Sequence, residues 1–178
     1  MPLYVDACAL AKRYLHEGRS SQRMKEITGR SSRWGGLIVS SFVEIEVASA
    51  IAKAARQYGN PFGRHEALRA VPKTVDEFQR AYRSGAFTIV SADEGIMDAG
   101  IAELRNNPEH EIGAGDAIHL ATAIGIVNDA AVPLVFVTAD RGLYAAAKAH
   151  GLAVLNPDYE GAERLEAILA SLREDGGR

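Results

Sequence analysis

From Ala117 to Val127 almost every residue is apolar or small. A helix that is apolar all the way round has no solvent side and must be covered by other elements. This stretch therefore belongs inside a layered domain. Asp116 stands at its mouth, behind Gly113-Ala114-Gly115. A carboxylate entering a core is costly unless a positive or hydrogen-bonding group meets it. Asp is a favoured N-cap, which would by itself explain the residue. The alternative is that other carboxylates arrive at the same place.

The strands answer that question. Leu3-Tyr4-Val5, Leu37-Ile38-Val39, Val132 to Val137 and Ala153-Val154-Leu155 are short, near-continuous apolar runs, with Phe87 to Val90 a further extended candidate. Helical periodicity fills the spaces between them. The helical segments are Ala9 to Leu15, residues 20–30, a helix capped by Ser40 or Ser41 that runs to about Tyr58, the stretch to Leu104, the central apolar helix, residues 142–149, and an amphipathic tail at about 159–174. Gly59-Asn60-Pro61 should stop the third of these, and Pro72 should divide the helical insertion at about 60–90 into two. Thr74 to Glu77 and Ser91 to Glu94 have the form of capping boxes. Strands apolar on both faces and alternating with helices argue a single α/β domain over residues 1–178. Its central parallel sheet should be flanked by helices on both faces.

The chain's 178 residues suffice for one domain with a sizeable core. The single cysteine, Cys8, excludes an internal disulfide and suits a reducing compartment. No apolar run approaches the roughly 20 residues that span a bilayer. The N-terminus lacks a basic segment followed by an apolar one, so a cytoplasmic protein is expected. Charge is uneven: residues 1–85 carry 14 Lys+Arg and 8 Asp+Glu, residues 86–178 carry 6 and 15. Such asymmetry is one mark of a nucleic-acid face. Lys53, Arg56 and Arg64 also read simply as a solvated helix face.

In a parallel sheet of this kind the working crevice lies outside the carboxyl ends of the strands. Asp6 and Asp140 each follow a strand directly, and Asp116 opens a helix that starts at the same edge. Glu44 or Glu46 would supply a fourth acid. These two lie about 200° apart around their helix, and periodicity does not choose between them. Carboxylates gathered in one concavity repel unless a cation joins them. Oxygen donors without a cysteine cluster or paired histidines suit Mg²⁺ or Mn²⁺. Such an ion activates water and stabilises charge on a phosphodiester. His119 shares the Asp116 face and reads as a satisfied core histidine or a support to the site. Cys8 has no base partner and reads as a packing residue. Gly113-Ala114-Gly115 is too short for a nucleotide fingerprint.

Four segments in order resemble the motifs of PIN-domain ribonucleases, and within them the VapC-type toxins of toxin–antitoxin pairs. Leu3-Tyr4-Val5-Asp6-Ala7-Cys8 resembles the first, with Cys8 where the motif has a small hydroxyl residue. Ser40 to Ile51 resembles the second and places its glutamate on Glu46. Gly115 to Ala123 resembles the third, and Phe136 to Arg141 the fourth. The resemblance spans Leu3 to Pro157. It implies a PIN-like fold and a metal-dependent endoribonuclease with Asp6 and Asp116 as the main ligands of Mg²⁺ or Mn²⁺. Glu46 and Asp140 would complete the acidic pocket directly or through water. It further implies an RNA substrate, a cognate small antitoxin protein and a homodimer. A non-catalytic PIN-like RNA-binding or scaffolding module is the main alternative. A phosphotransfer receiver domain also gathers acids at strand ends, but Thr138-Ala139-Asp140-Arg141 supplies no lysine after the late strand.

Overall fold

The structure, a computed structural model, describes residues 1–15, 18–57, 63–130 and 132–175. The expected helix stop at Gly59-Asn60-Pro61 and the Glu17 boundary lie outside the described residues. Five parallel strands form one sheet: β1 (Leu3–Val5), β2 (Leu37–Ser40), β3 (Thr88–Val90), β4 (Val135–Val137) and β5 (Ala153–Leu155), in the order β3-β2-β1-β4-β5. Leu3 lies opposite both Leu37 and Val135, so β1 is the central strand.

The strands are apolar on both faces because both faces are covered. Leu3, Val5, Val39, Val135 and Val137 point into one cluster with α1 (Ala7–Lys12), α2 (Arg19–Gly29), α3 (Val43–Gln57), α4 (Arg64–Arg83) and α8 (Ala162–Asp175). Tyr4, Phe136 and Val154 point to the other, with α6 (Ala114–Ala130) and α7 (Arg141–Ala149). The period-two alternation of a strand thus feeds two cores. The remaining helix, α5 (Glu94–Asn106), packs on α6. The helices come close at Gly100, where a Cβ would sit 3.4 Å from the Ala117 backbone, in ordinary contact. Leu120, Ala121, Thr122 and Ala123 of α6 are buried, as a helix with no polar stripe requires.

The chain runs from β1 through β2 to β3 on one side, then returns to lay β4 on the opposite side of β1. The topological switch point therefore falls between β1 and β4. No helix among the described residues is long and apolar enough to cross a membrane.

Several local expectations are corrected. The run expected from Val132 pairs as a strand only over Val135–Val137. Asp93, not Ser91, caps α5, accepting from the Ile96 N–H at 3.0 Å. Ser40 rather than Ser41 turns the chain into α3, accepting from the Phe42 N–H at 3.2 Å, while Ser41 accepts from Ala92. Thr74 does not begin a helix. It lies inside α4, which runs unbroken through Pro72, and its hydroxyl donates back to the Ala70 carbonyl. The physical reason is exposure: the only fully buried residue of α4 is Phe78, and Leu68, whose carbonyl loses its partner to Pro72, is solvent-exposed. Water can meet that carbonyl, so the proline costs stability without ending the helix.

Pro72→Ala should therefore stabilise the protein. Proline inside a helix costs about 3 kcal/mol relative to alanine, less roughly 1 kcal/mol for its stiffening of the unfolded chain. A gain on the order of 1–2 kcal/mol is expected in urea unfolding. A lower midpoint for the variant would show that α4 depends on the proline.

Candidate active site

Asp6 follows β1 directly, and its backbone N–H continues the sheet by donating to the Val137 carbonyl at 3.1 Å. The side chain is buried, 1% exposed. One carboxylate oxygen caps α1, accepting from Ala9 N–H at 2.7 Å; the other accepts from the Thr138 hydroxyl at 2.7 Å. Thr138 sits just past β4, so this second bond crosses the switch point. The Thr138 oxygen in turn accepts from the Asp140 N–H at 3.0 Å. Asp140 caps α7, accepting from Leu143 N–H at 2.8 Å.

Asp116 is not the cap of α6 but its third residue. Its carboxylate reaches back to accept from the Gly113 N–H at 2.9 Å, the return half of a capping box. Glu46, on the first turn of α3, accepts from His119 Nε2 at 2.8 Å. His119 is buried and its Nδ1 lies 2.9 Å from the Tyr4 hydroxyl. Burial pushes the Tyr4 pKa far up, so the phenol keeps its proton and donates to Nδ1. The hydrogen-bond network then assigns the other proton to Nε2, which donates to Glu46. A Cβ at Gly115 would meet the far end of the Glu46 side chain and push its carboxylate aside.

The two glutamates point to different neighbours. Glu44 turns to α4, accepting from Gln79 at 3.1 Å with Arg83 at 3.5 Å. Glu46 turns to α6. Asp6, Glu46, Asp116 and Asp140, from four places in the chain, all lie near enough to Cys8 to act on its thiol electrostatically. Burial, countered in part by the two hydrogen bonds, pushes Asp6 up to about 6, with Asp116 adding to the rise. Burial also raises Asp116, against the Gly113 hydrogen bond, and Asp140 and Glu46 add to it. Cys8, expected to pack in the core, is instead exposed beside the acids. Protein atoms still hem in its sulfur. That burial, with Asp6, Asp116, Asp140 and Glu46 all adding to it, pushes the thiol up to about 12. It is no thiolate nucleophile.

The donor set fits a hard divalent cation. It consists of oxygens, and the raised carboxyls mark negative charge that lacks full compensation. No three of the four acids bring oxygens within 4.8 Å of one another among the described residues. If Asp6 and Asp116 were the direct ligands, water would complete the shell, as suits Mg²⁺, which keeps several waters. Glu46 and Asp140 are already engaged with His119 and the α7 cap.

A groove between α1 and α3 opens beside these acids, lined by Cys8, Lys12, Ala50, Lys53 and Asp140 among others. Away from them, Glu103, His110 and His150 form a second polar cluster. Sequence reasoning missed it, because residues 7 and 40 positions apart form no motif.

No family model matches the chain, and no curated protein does. Among solved structures, PAE2754 from Pyrobaculum aerophilum superposes with a TM-score of 0.51 at 21% identity, covering 96% of this chain and 98% of that one. The two share a fold.

The raised Asp6 sets a pH dependence. Its folded pKa of about 6 lies above the ordinary value near 4. The native state therefore binds more protons between those values. The stability this group contributes is full below about pH 4 and lost as pH rises to about 6, by on the order of 3 kcal/mol without metal. Glu103 and Asp158 shift the opposite way, so the difference between wild type and Asp6→Asn isolates the effect. In chelator, the variant should gain relative stability as pH climbs from 4 to 7, and Mn²⁺ should restore the wild type by mass action. A pH-independent difference would remove Asp6 from any strained acidic pocket.

Proposed function

We propose that this chain is a PIN-like, metal-dependent endoribonuclease of the toxin type. One observation carries the reading: Asp6, Glu46, Asp116 and Asp140 converge from β1, α3, α6 and the end of β4 at the switch point of a parallel sheet. Asp6 and Asp116 would hold Mg²⁺ or Mn²⁺, which when bound supplies an activated water and stabilises charge on the phosphodiester. The chain's own contribution is positional. Thr138 and the Ala9 N–H fix both oxygens of Asp6, and the Gly113 N–H fixes Asp116. Tyr4 and His119 orient Glu46 so that its free oxygen, with Asp140, can orient the attacking water. Lys53 beside Asp140 offers positive charge to the RNA backbone along the α1–α3 groove. A small antitoxin that covers the pocket and a homodimeric working form belong to the same proposal. The exposed Met97 and Ile101 on α5 are apolar surface that a partner could cover.

Asp116→Asn should abolish Mn²⁺-dependent RNA cleavage while preserving the fold, since the amide oxygen can still accept from Gly113. Glu46→Gln should cost far more activity than Glu44→Gln. Full cleavage by Asp116→Asn, or the reverse ranking of the glutamates, would refute the assignment. Absence of cleavage in wild type with either metal would favour the non-catalytic RNA-binding module instead.

Binding supplies a separate check. If Lys53 meets a phosphate, Lys53→Ala should weaken RNA binding about equally across sequences and reduce the salt slope by about 1. An unchanged slope would move the RNA path to another face.

A further inference from the structure

We infer that Glu103, His110 and His150 form a second metal site, selective for Zn²⁺ and distinct from the acidic pocket. The three ligand atoms lie within 4.8 Å of one another. His110 Nδ1 is 2.7 Å from Glu103 Oε1, and His150 Nε2 is 2.9 Å from Oε2. Two imidazoles and one carboxylate are the donor set of zinc sites that leave a fourth position to water.

Three features go beyond the donors. Glu103 is covered, with its side chain 8% exposed. The two imidazole rings beside it meet edge to face at 5.9 Å. Next, Asn107 donates to Glu103 Oε2 at 2.9 Å, the kind of outer hydrogen bond that orients a ligating carboxylate. Finally, Glu103 lies in the last turn of α5 and His150 is the C-cap of α7. Two helix C-termini, each the negative end of its dipole, therefore aim at the cluster and favour a cation there.

Binding requires little rearrangement. Ligand atoms around tetrahedral zinc stand about 3.3 Å apart, from bond lengths near 2.0–2.1 Å, so the two Glu103–histidine pairs must open by roughly half an ångström. The nitrogens that now face Glu103 would give up their protons to the other ring nitrogens, a change of tautomer with no net proton release. Zinc there would pin α5 to the end of α7. Through His110 it would also brace the loop that leads to Gly113 and Asp116.

The inference does not depend on the nuclease reading, and its test keeps the two apart. The full chain, stripped with chelator, would be titrated with Co²⁺ as a spectroscopic probe and with Zn²⁺ in thermal melts. Tetrahedral coordination by nitrogen gives Co²⁺ strong visible absorption, which an oxygen-only octahedral pocket does not. Wild type and Asp116→Asn should both develop the band and gain several degrees in Tm with Zn²⁺. His150→Gln, altering a side chain 30% exposed, should fold, lose the band and bind Zn²⁺ more than about 10-fold more weakly. His110→Asn should behave alike. A band that survives in both histidine variants, a band lost in Asp116→Asn, or no band in wild type would overturn the site.

Discussion

The constraint on which this structure turns is the burial of the Asp6 carboxylate between β1 and β4. A buried anion is tolerable only when its lone pairs are met. Asp6 meets its need twice, through the Ala9 N–H and the Thr138 hydroxyl. The first bond starts α1 on one side of the sheet. The second ties β1 to the strand laid down last around it. Thr138 then holds the Asp140 N–H, and Asp140 starts α7 on the other side. A single chain of polar contacts thus fixes where two helices leave the sheet. It also sets two of the four acids at its edge.

The same residues serve structure and chemistry, which bears on how far each could be read from sequence. The sheet was legible because its strands are apolar on both faces, and only a strand covered twice has that composition. The buried central helix was legible for the same reason. Asp6, Asp116 and Asp140 were legible because position after a strand or at a helix mouth fixes them to one edge. The Glu44 and Glu46 pair was not, since both flank the apolar stripe of α3. Their difference lies in which neighbour each meets, Arg83 and Gln79 or His119, and those neighbours are distant in the chain. Pro72 misled because a breaker rule describes isolated backbone. On an exposed helix, water takes the place of the lost hydrogen bond. Cys8 misled because the lack of a base partner speaks to reactivity and not to which side of α1 the residue faces.

His119 shows why a buried polar residue can be more informative than an exposed one. It connects Tyr4 in the middle of β1 to Glu46 on α3 and sits one turn past Asp116 on α6. Stacking of Tyr4 on Phe136 at 5.2 Å fixes the phenol in the core. The phenol fixes the imidazole tautomer, and the imidazole fixes the carboxylate. The direction of Glu46 is therefore set from the sheet outward, and so does not depend on the exposed far end of α3.

The loop from Asn107 to Gly113 joins the two polar clusters. At one end Asn107 and His110 clasp Glu103; at the other Gly113 donates to Asp116. Between them the Glu111 carbonyl lies so close to Gly142 that a Cβ there would overlap it. The loop is thus held against the first turn of α7, the helix capped by Asp140. Asp116 and Asp140 keep their separation partly because one short loop is gripped at both ends. Loosening the Glu103 clasp would act on the acidic edge through backbone position, with no change in any carboxylate. A cation at the clasp would act in the opposite sense.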